Sequence, residues 1–432
     1  MTTAAVGLVG FGTVGTGVAM ILLERGDSIR RKTGLDIRLK AVCDIDTTRD
    51  RGIALPAGVL SDDLSRILND PEITVAIELI GGTTVAKDVV LKLLAAGKDV
   101  VTANKALLAE HGRELFQAAR QHGRAMAFEA SVGGGIPILG SLTNGYLANN
   151  IDSIVGIVNG TCNYILTKMT TGGQSYALAL RDAQKLGYAE SNPTLDVGGG
   201  DSAHKLAILA MLGFGAEFDT SEVHVEGIEG IDVRDIQFAA QMGYTIKLLA
   251  IGKRASEDID LRVHAALLPS KHPLAQVSGP YNAIQVTGDA CGDTMLYGRG
   301  AGQLPTASAV VADVIDMLLG RARITFERLN LYTGRTQRRR VKPIDDIETK
   351  YYVRFSAADR PGVLAEIARV LGERKISIAS VHQPEVQKPV VPIVMLTHRA
   401  REGSMRQALE TIDRLDSIRG PSRFIRLEGE EE

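Results

Sequence analysis

Lys205 stands near the head of a stretch, Asp201–Leu212, whose later part is solidly apolar: Leu206, Ala207, Ile208, Leu209, Ala210, Met211 and Leu212. Such a helix belongs inside a protein, and an ammonium at its mouth is costly unless partnered. Asp201 precedes Lys205 by four residues, so on a helix both face the same side. Asp201 can also cap the helix start. Burial disfavours the ammonium and a neighbouring carboxylate favours it. A lysine so balanced can give and recover a proton, which is the work of a general acid–base group. His204 points roughly 100° away around the helix and reads as structural.

The preceding stretch, "GYAESNPTLDVGGG", brings Tyr188, Glu190 and Asp196 close to this pair. Its Asn192-Pro193 step and glycines 198–200 predict a loop. A loop that carries three carboxylates against a buried helix is not casual packing; the plain alternative is a solvated acidic loop beside a helix cap. A second lysine, Lys105, closes "GKDVVTANK", which predicts a strand running to Lys105. In parallel sheets ligands lie beyond the carboxyl ends of strands. Lys105 is therefore either part of a site or an ordinary surface lysine. "AMAFEASVGGGIP" predicts a strand that runs out at Glu129, where glycines 133–135 free the carbonyls to turn inward. One carboxylate with several backbone oxygens is the ligand set of a hard cation; the alternative is a flexible loop.

These residues need a scaffold, and the first fifteen positions supply its start. Ala4–Val9 is an apolar strand, followed by Gly10, Gly12 and Gly15 in G-x-G-x-x-G spacing and an amphipathic stretch from Thr13. Gly10 permits a tight turn, Gly12 lets a pyrophosphate approach the backbone, and Gly15 lets the helix pack on the strand. The helix start offers its amides to phosphate. A second strand, "IRLKAVCD", ends at Asp44. An acid there hydrogen-bonds a ribose hydroxyl and favours NAD, whereas Arg49 and Arg51 could meet a 2′-phosphate. Both readings stay open. Strand–helix alternation continues through "TVAIELIGG" and "GKDVVTANK" and predicts a Rossmann-like, doubly wound parallel α/β sheet.

The 432 residues suggest several domains, and 45% hydrophobic with 23% charged residues is ordinary for a globular chain. A formal net charge of −2 argues against a nucleic-acid partner or a charged membrane surface. No apolar run reaches the ~18 residues of a membrane span, and "MTTAAVGLVGFG" does not read as a signal peptide. Cys43, Cys162 and Cys291 are too scattered for a metal site or disulfide framework, which points to the cytoplasm.

Taken together, Gly10–Gly15, "TANK" at 102–105, "EASVGGGIP" at 129–137, "NGTCNYIL" at 159–166, "GYAESNPTLDVGGGDSAHKLAILA" at 187–210 and "YGRGAGQLPTASAVVAD" at 297–313 resemble homoserine dehydrogenase, in its larger, regulated form. The resemblance implies reversible reduction of L-aspartate 4-semialdehyde to L-homoserine with NADP or NAD as cofactor, on the way to threonine and methionine. It implies that Lys205 is the proton donor and Lys105 a second lysine at the reacting oxygen. Glu190 and Asp201 match substrate-binding acids, with Asp196, Thr161, Tyr188 and Gly160 beside them. Phe11, Thr13, Val14, Gly187 and Gly302 match cofactor contacts, alongside Gly10, Gly12, Gly15, Asp44 and Lys105. Glu129, Val132, Gly134 and Ile136 match a loop for a monovalent cation, sodium or potassium. The family usually has acid-glycine after "LDV"; here Gly198-Gly199-Gly200 stands instead.

"GAGQLPTASAVVADVIDMLLG" predicts a helix from near Pro305, with a stripe of Ala307, Val310, Val311, Val314 and Leu318, that returns to the nucleotide domain. From Tyr351 a new strand and helix order, βαββαβ, resembles an ACT regulatory domain, including Asp359-Arg360-Pro361-Gly362-Val363-Leu364. Such domains bind amino acids at paired edges, which makes threonine the expected effector; a ferredoxin-like oligomerisation unit without ligand is the alternative. The organisation expected is a Rossmann-like domain over 1–135 and 305–333, an α+β substrate and dimerisation domain over 136–304, a linker over 334–350, and the ACT domain over 351–432. A homodimer or homotetramer is expected. Rival readings are another ACT-bearing NAD(P)-dependent dehydrogenase, which would need a histidine–acid pair and an arginine clamp, and a non-catalytic NAD(P)-sensing regulator.

Overall fold

The computed structural model describes residues 2–333, 338–384 and 388–429. The first four positions of the expected linker, 334–337, lie outside them, as do 385–387 and 430–432 of the expected regulatory domain. The described chain forms two compact units, one from 1–154, 204–222 and 282–339, the other from 155–203, 223–281 and 340–432.

The first unit holds the predicted parallel sheet. Its strands run in the order Leu60–Ser61, Leu35–Cys43, Thr2–Val9, Ile73–Glu78, Asp99–Thr102 and Met126–Ala127, every neighbouring pair parallel. Strand order reverses between Thr2–Val9 and Ile73–Glu78, the switch point where such sheets bind ligands. Val6, Leu8, Val42, Ile77 and Val100 are fully buried, as expected of strands covered on both faces. The helix Gln303–Leu318 packs on the helix Thr13–Thr33. Gly17 makes that approach possible: a Cβ there would lie 2.9 Å from the backbone oxygen of Gln303 and 3.0 Å from the Ala307 side chain.

In the second unit, Tyr244–Ala255 and Asp258–Pro269 form a long antiparallel pair. The βαββαβ order from Tyr351 is present: strands Tyr351–Ala358, Ile378–His382, Val390–Thr397 and Arg423–Leu427, with helices Val363–Glu373 and Glu402–Ile412. The two helices pack together over an apolar core that includes Phe355, Ile367, Leu371, Met395, Met405 and Ile412. The last strand, Arg423–Leu427, pairs antiparallel with Tyr351–Ala358 and parallel with Asp258–Pro269.

Buried ions run through this unit. Arg426 donates to Glu402 and to Glu226, and the Tyr351 hydroxyl donates to Glu402 at 2.9 Å. Arg262 pairs with Asp260 and Glu428, and Arg354 pairs with Asp235. Burial alone would raise the Glu226 carboxyl, but Arg426 and His224 hold it well below the usual carboxylate range.

Candidate active site

The glycine turn of the first unit behaves as its spacing predicts. Gly10 has φ +96°, and a Cβ on it would sit 2.5 Å from the Leu79 carbonyl. A Cβ on Gly15 would sit 2.1 Å from the Gly10 oxygen. Gly12 differs: a Cβ there would meet nothing within 4 Å, because the residue faces open space. It caps the helix Thr13–Thr33, and no side chain occupies that terminus. Beside it opens a cavity of about 670 Å³, whose wall includes Gly10, Phe11, Gly12, Thr13 and Asp44. Val14, Gly15, Lys105 and Gly302 are not part of that wall. The bare turn, the uncapped helix start and the cavity fit a dinucleotide pyrophosphate.

Asp44 lies just past the strand Leu35–Cys43 and is heavily engaged. Its Oδ2 accepts from the Phe11 amide at 2.5 Å, and its Oδ1 accepts from the Asp46 amide at 2.8 Å. Arg51 reaches Asp44 Oδ1 at 3.3 Å, donates to the Phe11 oxygen at 2.6 Å, and stacks 4.9 Å over the Phe11 ring. Arg51 thus braces the loop after the second strand, while Arg49 shares the cavity wall. Ile45, 99% exposed on that wall, was not singled out from sequence. An exposed isoleucine at a nucleotide cavity is an apolar plate for a base.

Lys105 corrects one expectation. The strand stops at Thr102, and Lys105 is the first residue of the helix Lys105–Gln121. Asn104 ends the strand pattern, because its side chain accepts from the Leu107 amide and caps that helix. A cation in the first helical turn opposes the helix dipole, so local stability does not explain its presence. Behind it lies Glu78, also not foreseen. It is fully buried, it accepts from the Thr102 hydroxyl at 2.7 Å and the Ile80 amide at 2.8 Å, and burial raises its carboxyl. Thr102 Oγ1 in turn accepts from the Asn104 amide at 3.0 Å, so Glu78 fixes the end of the strand that leads to Lys105.

Lys205 is 9% exposed, one turn into the helix Gly200–Phe214. The apolar residues after it are buried, with Ile208, Met211 and Leu212 facing Phe116, Phe128 and Tyr332. The helix begins one residue earlier than expected, so Asp201 sits within its first turn, not at its cap. The cation-loop residues also belong to the first unit. Both Glu129 oxygens accept backbone amides, from Leu139 at 2.9 Å and Gly140 at 2.6 Å, and the Glu129 amide donates to Asp313. Burial pushes the Glu129 carboxyl up to about 6, and Asp313 is raised with it. Gly133 and Gly134 have φ +76° and +56°, and Val132 and Ile136 are buried.

In the second unit the predicted acid loop contains a short helix, Thr194–Val197. Asp196 on that helix and Asp201 both accept from the Asn159 side chain, each at 2.8 Å. Thr161 donates to the Tyr188 carbonyl at 2.6 Å, and the Tyr164 and Tyr188 rings are 4.9 Å apart. Gly160 opens the helix Gly160–Gly172; Gly187, at φ +74°, follows the helix Tyr176–Lys185, and the Glu190 carbonyl accepts from Gln184. The glycine triplet has a steric cause. Gly199 has φ +88°, and a Cβ on it would lie 2.9 Å from Val225. One on Gly227 would lie 2.1 Å from the Val197 oxygen. The loop is pressed against 225–228 and is not slack. Among the described residues no cluster of three or more histidines, cysteines or acids could hold a metal ion, and no helix is long and apolar enough to cross a membrane.

Comparison with known proteins agrees along the whole chain. The homoserine dehydrogenase family model matches residues 137–315, the NAD-binding domain of homoserine dehydrogenase residues 10–129, and the ACT domain residues 351–417. The homoserine dehydrogenase of Neisseria gonorrhoeae is 41% identical over 99% of both chains, and that of Synechocystis 43% identical over 98% of this chain and 99% of its own. A crystal structure of a homoserine dehydrogenase from Thiobacillus denitrificans superposes with a TM-score of 0.92 at 40% identity, covering 99% of each chain. A hyperthermophilic archaeal homoserine dehydrogenase in complex with NADPH covers 74% of this chain and 98% of its own, with a TM-score of 0.62 and 26% identity. Glycine turn, nucleotide cavity, catalytic-region motifs and regulatory βαββαβ module all lead to one assignment: the chain belongs to the homoserine dehydrogenase family, NAD(P)-dependent oxidoreductases, in its ACT-bearing form.

Proposed function

We propose that Lys205 and Lys105 carry out the proton and charge chemistry of the reversible interconversion of L-aspartate 4-semialdehyde and L-homoserine. The nicotinamide dinucleotide, when bound, supplies or accepts the hydride. Lys205 gives the aldehyde oxygen its proton in reduction and takes it back in oxidation. Lys105 is the second ammonium at that oxygen and offsets its developing negative charge. Glu190 pairs with the substrate's ammonium, and Asp201, Asp196, Thr161, Tyr188 and Gly160 are its other contacts with the protein. Gly10–Gly15, Asp44, Gly187 and Gly302 hold the cofactor.

The observation that carries this reading is Lys205 itself, a buried ammonium at the head of an otherwise apolar helix. Packing alone would place a leucine or methionine there. The test follows nicotinamide reduction with homoserine, using NAD and NADP in parallel, for the wild type and Lys205→Ala. Loss of turnover with cofactor titration unchanged is expected; an unchanged kcat removes Lys205 from its role. The rival sensor reading predicts dinucleotide binding with no turnover in the wild type.

Glu129, Val132, Gly134 and Ile136 would hold a sodium or potassium ion through the Glu129 carboxylate and backbone oxygens. Two buried carboxyls in one place, Glu129 and Asp313, favour a cation beside them. The ACT module would bind threonine as feedback inhibitor of threonine and methionine synthesis, which the same assay with added threonine tests. A cytoplasmic homodimer or homotetramer completes the proposal; none of Cys43, Cys162 and Cys291 forms a disulfide, in keeping with a reducing compartment.

A further inference from the structure

Asn159 received no role from its sequence, yet it sits at the centre of the second unit's acids. It is buried, and it caps the helix Gly160–Gly172 by accepting the Cys162 amide at 2.8 Å on its Oδ1. Its Nδ2 donates to Asp196 Oδ1 and to Asp201 Oδ2, at 2.8 Å each. A carboxamide nitrogen has two hydrogens, and these two acceptors take both. The orientation is unambiguous, because the flipped amide would set an oxygen against two carboxylates and lose the cap.

The helix behind it is equally fixed. Asn163, one turn on, donates to the carbonyls of Val277, Gly279 and Tyr281 and accepts from the buried Lys247. Asp196 and Asp201 come from separate elements, the short helix Thr194–Val197 and the helix Gly200–Phe214. Two carboxylates brought together, Asp201 buried and Asp196 half-buried, repel each other. A neutral amide that donates to both orients them without adding a charge of its own.

From this geometry we infer that Asn159 is a positioning residue for substrate recognition: it holds Asp196 and Asp201 in the fixed geometry with which they meet the substrate. The inference rests on the reading of those acids as substrate ligands. Asn159→Asp separates clamp from cap. Aspartate has the same size and is as good an N-cap, but it has no hydrogens to donate. It should keep the fold and the cofactor KM, and raise the homoserine KM about tenfold or more with a smaller change in kcat. Lowering the pH should recover part of the loss, as a proton bridges the three acids.

Asn159→Ser is the second variant: serine is also a good N-cap, but its single hydroxyl hydrogen cannot serve two carboxylates, so it too should raise the homoserine KM. If Asn159→Asp fails to fold, Asn159→Ser carries the same test. A wild-type homoserine KM and pH profile in the variant that folds overturns the inference and leaves Asn159 a helix cap. If Asp196→Asn and Asp201→Asn also leave the homoserine KM untouched, the substrate-acid reading itself has failed; if they raise it, only the clamp has.

Discussion

The nucleotide cavity of the first unit and the acid cluster of the second are built from different materials. The cavity is made by backbone: a turn at Gly10, an open face at Gly12 and a helix start that no side chain occupies. The acid cluster is made by side chains, with Asn159 holding partners 37 and 42 residues away. The same contrast extends outward. The parallel sheet buries valine, leucine and isoleucine, while the second unit buries Arg262, Arg354 and Arg426 with their acids. A backbone site tolerates sequence change wherever the missing side chain is not essential. A side-chain site fails when one partner is removed.

That difference is measurable. Arg426→Met leaves Glu226 and Glu402 without their buried guanidinium, and loss of one partner of a buried ion pair costs about 3–5 kcal/mol. Chemical denaturation should show a loss of that order; a loss below about 1 kcal/mol would erase the contrast between the units. Gly10→Ala adds a Cβ at positive φ against the Leu79 carbonyl. It should cost roughly 1–3 kcal/mol in stability and weaken dinucleotide binding.

Lys247 sharpens the comparison through pH. Burial lowers its ammonium to about 8, from an ordinary lysine value of 10.5. The folded state therefore binds fewer protons than the unfolded state between these values, so stability should rise with pH from about 8 to 10.5. The gain is on the order of a few kcal/mol at most. Denaturation midpoints at pH 7.5 and 9.5, for wild type and Lys247→Met, check it: only the wild type should show the rise from this source. The smallest effect belongs to Gly12→Ala. Its Cβ meets nothing in the protein, so the melting temperature should stay within error while dinucleotide affinity falls. A lowered melting temperature would mean that Gly12 serves the fold and not the cofactor.

Legibility from sequence follows the same line. G-x-G-x-x-G is readable because each glycine answers a constraint set within a few residues: Gly15 is small because the Gly10 oxygen lies against it. The ACT-like order from Tyr351 is readable because its strands and helices alternate with clear apolar patterns. The strand to Lys105 was read too long, since nothing in "VVTANK" shows that the Asn104 side chain turns to cap the next helix. Glu78 looks like a surface acid in a strand until the neighbouring strand covers it with Thr102. The role of Asn159 is hidden for a stronger reason: its cap on Cys162 is local, but its bonds to Asp196 and Asp201 exist only once distant elements meet. The glycine triplet marks a loop in the sequence, but its cause appears only in the fold: Gly199 is crowded by Val225, Gly198 by Thr194 and Gly200 by Leu195.

The strand Arg423–Leu427 has two neighbours, one in the ACT module and one in the long hairpin of the same unit. It works as a shared seam. Excising everything from Tyr351 onward would therefore not yield a simpler catalyst. It would strip a hydrogen-bonding edge from Asp258–Pro269 and leave Arg262 without Glu428, and such a bared strand recruits other chains into aggregates. Variants that probe the module are better sought by point substitution at its outer face than by shortening the polypeptide.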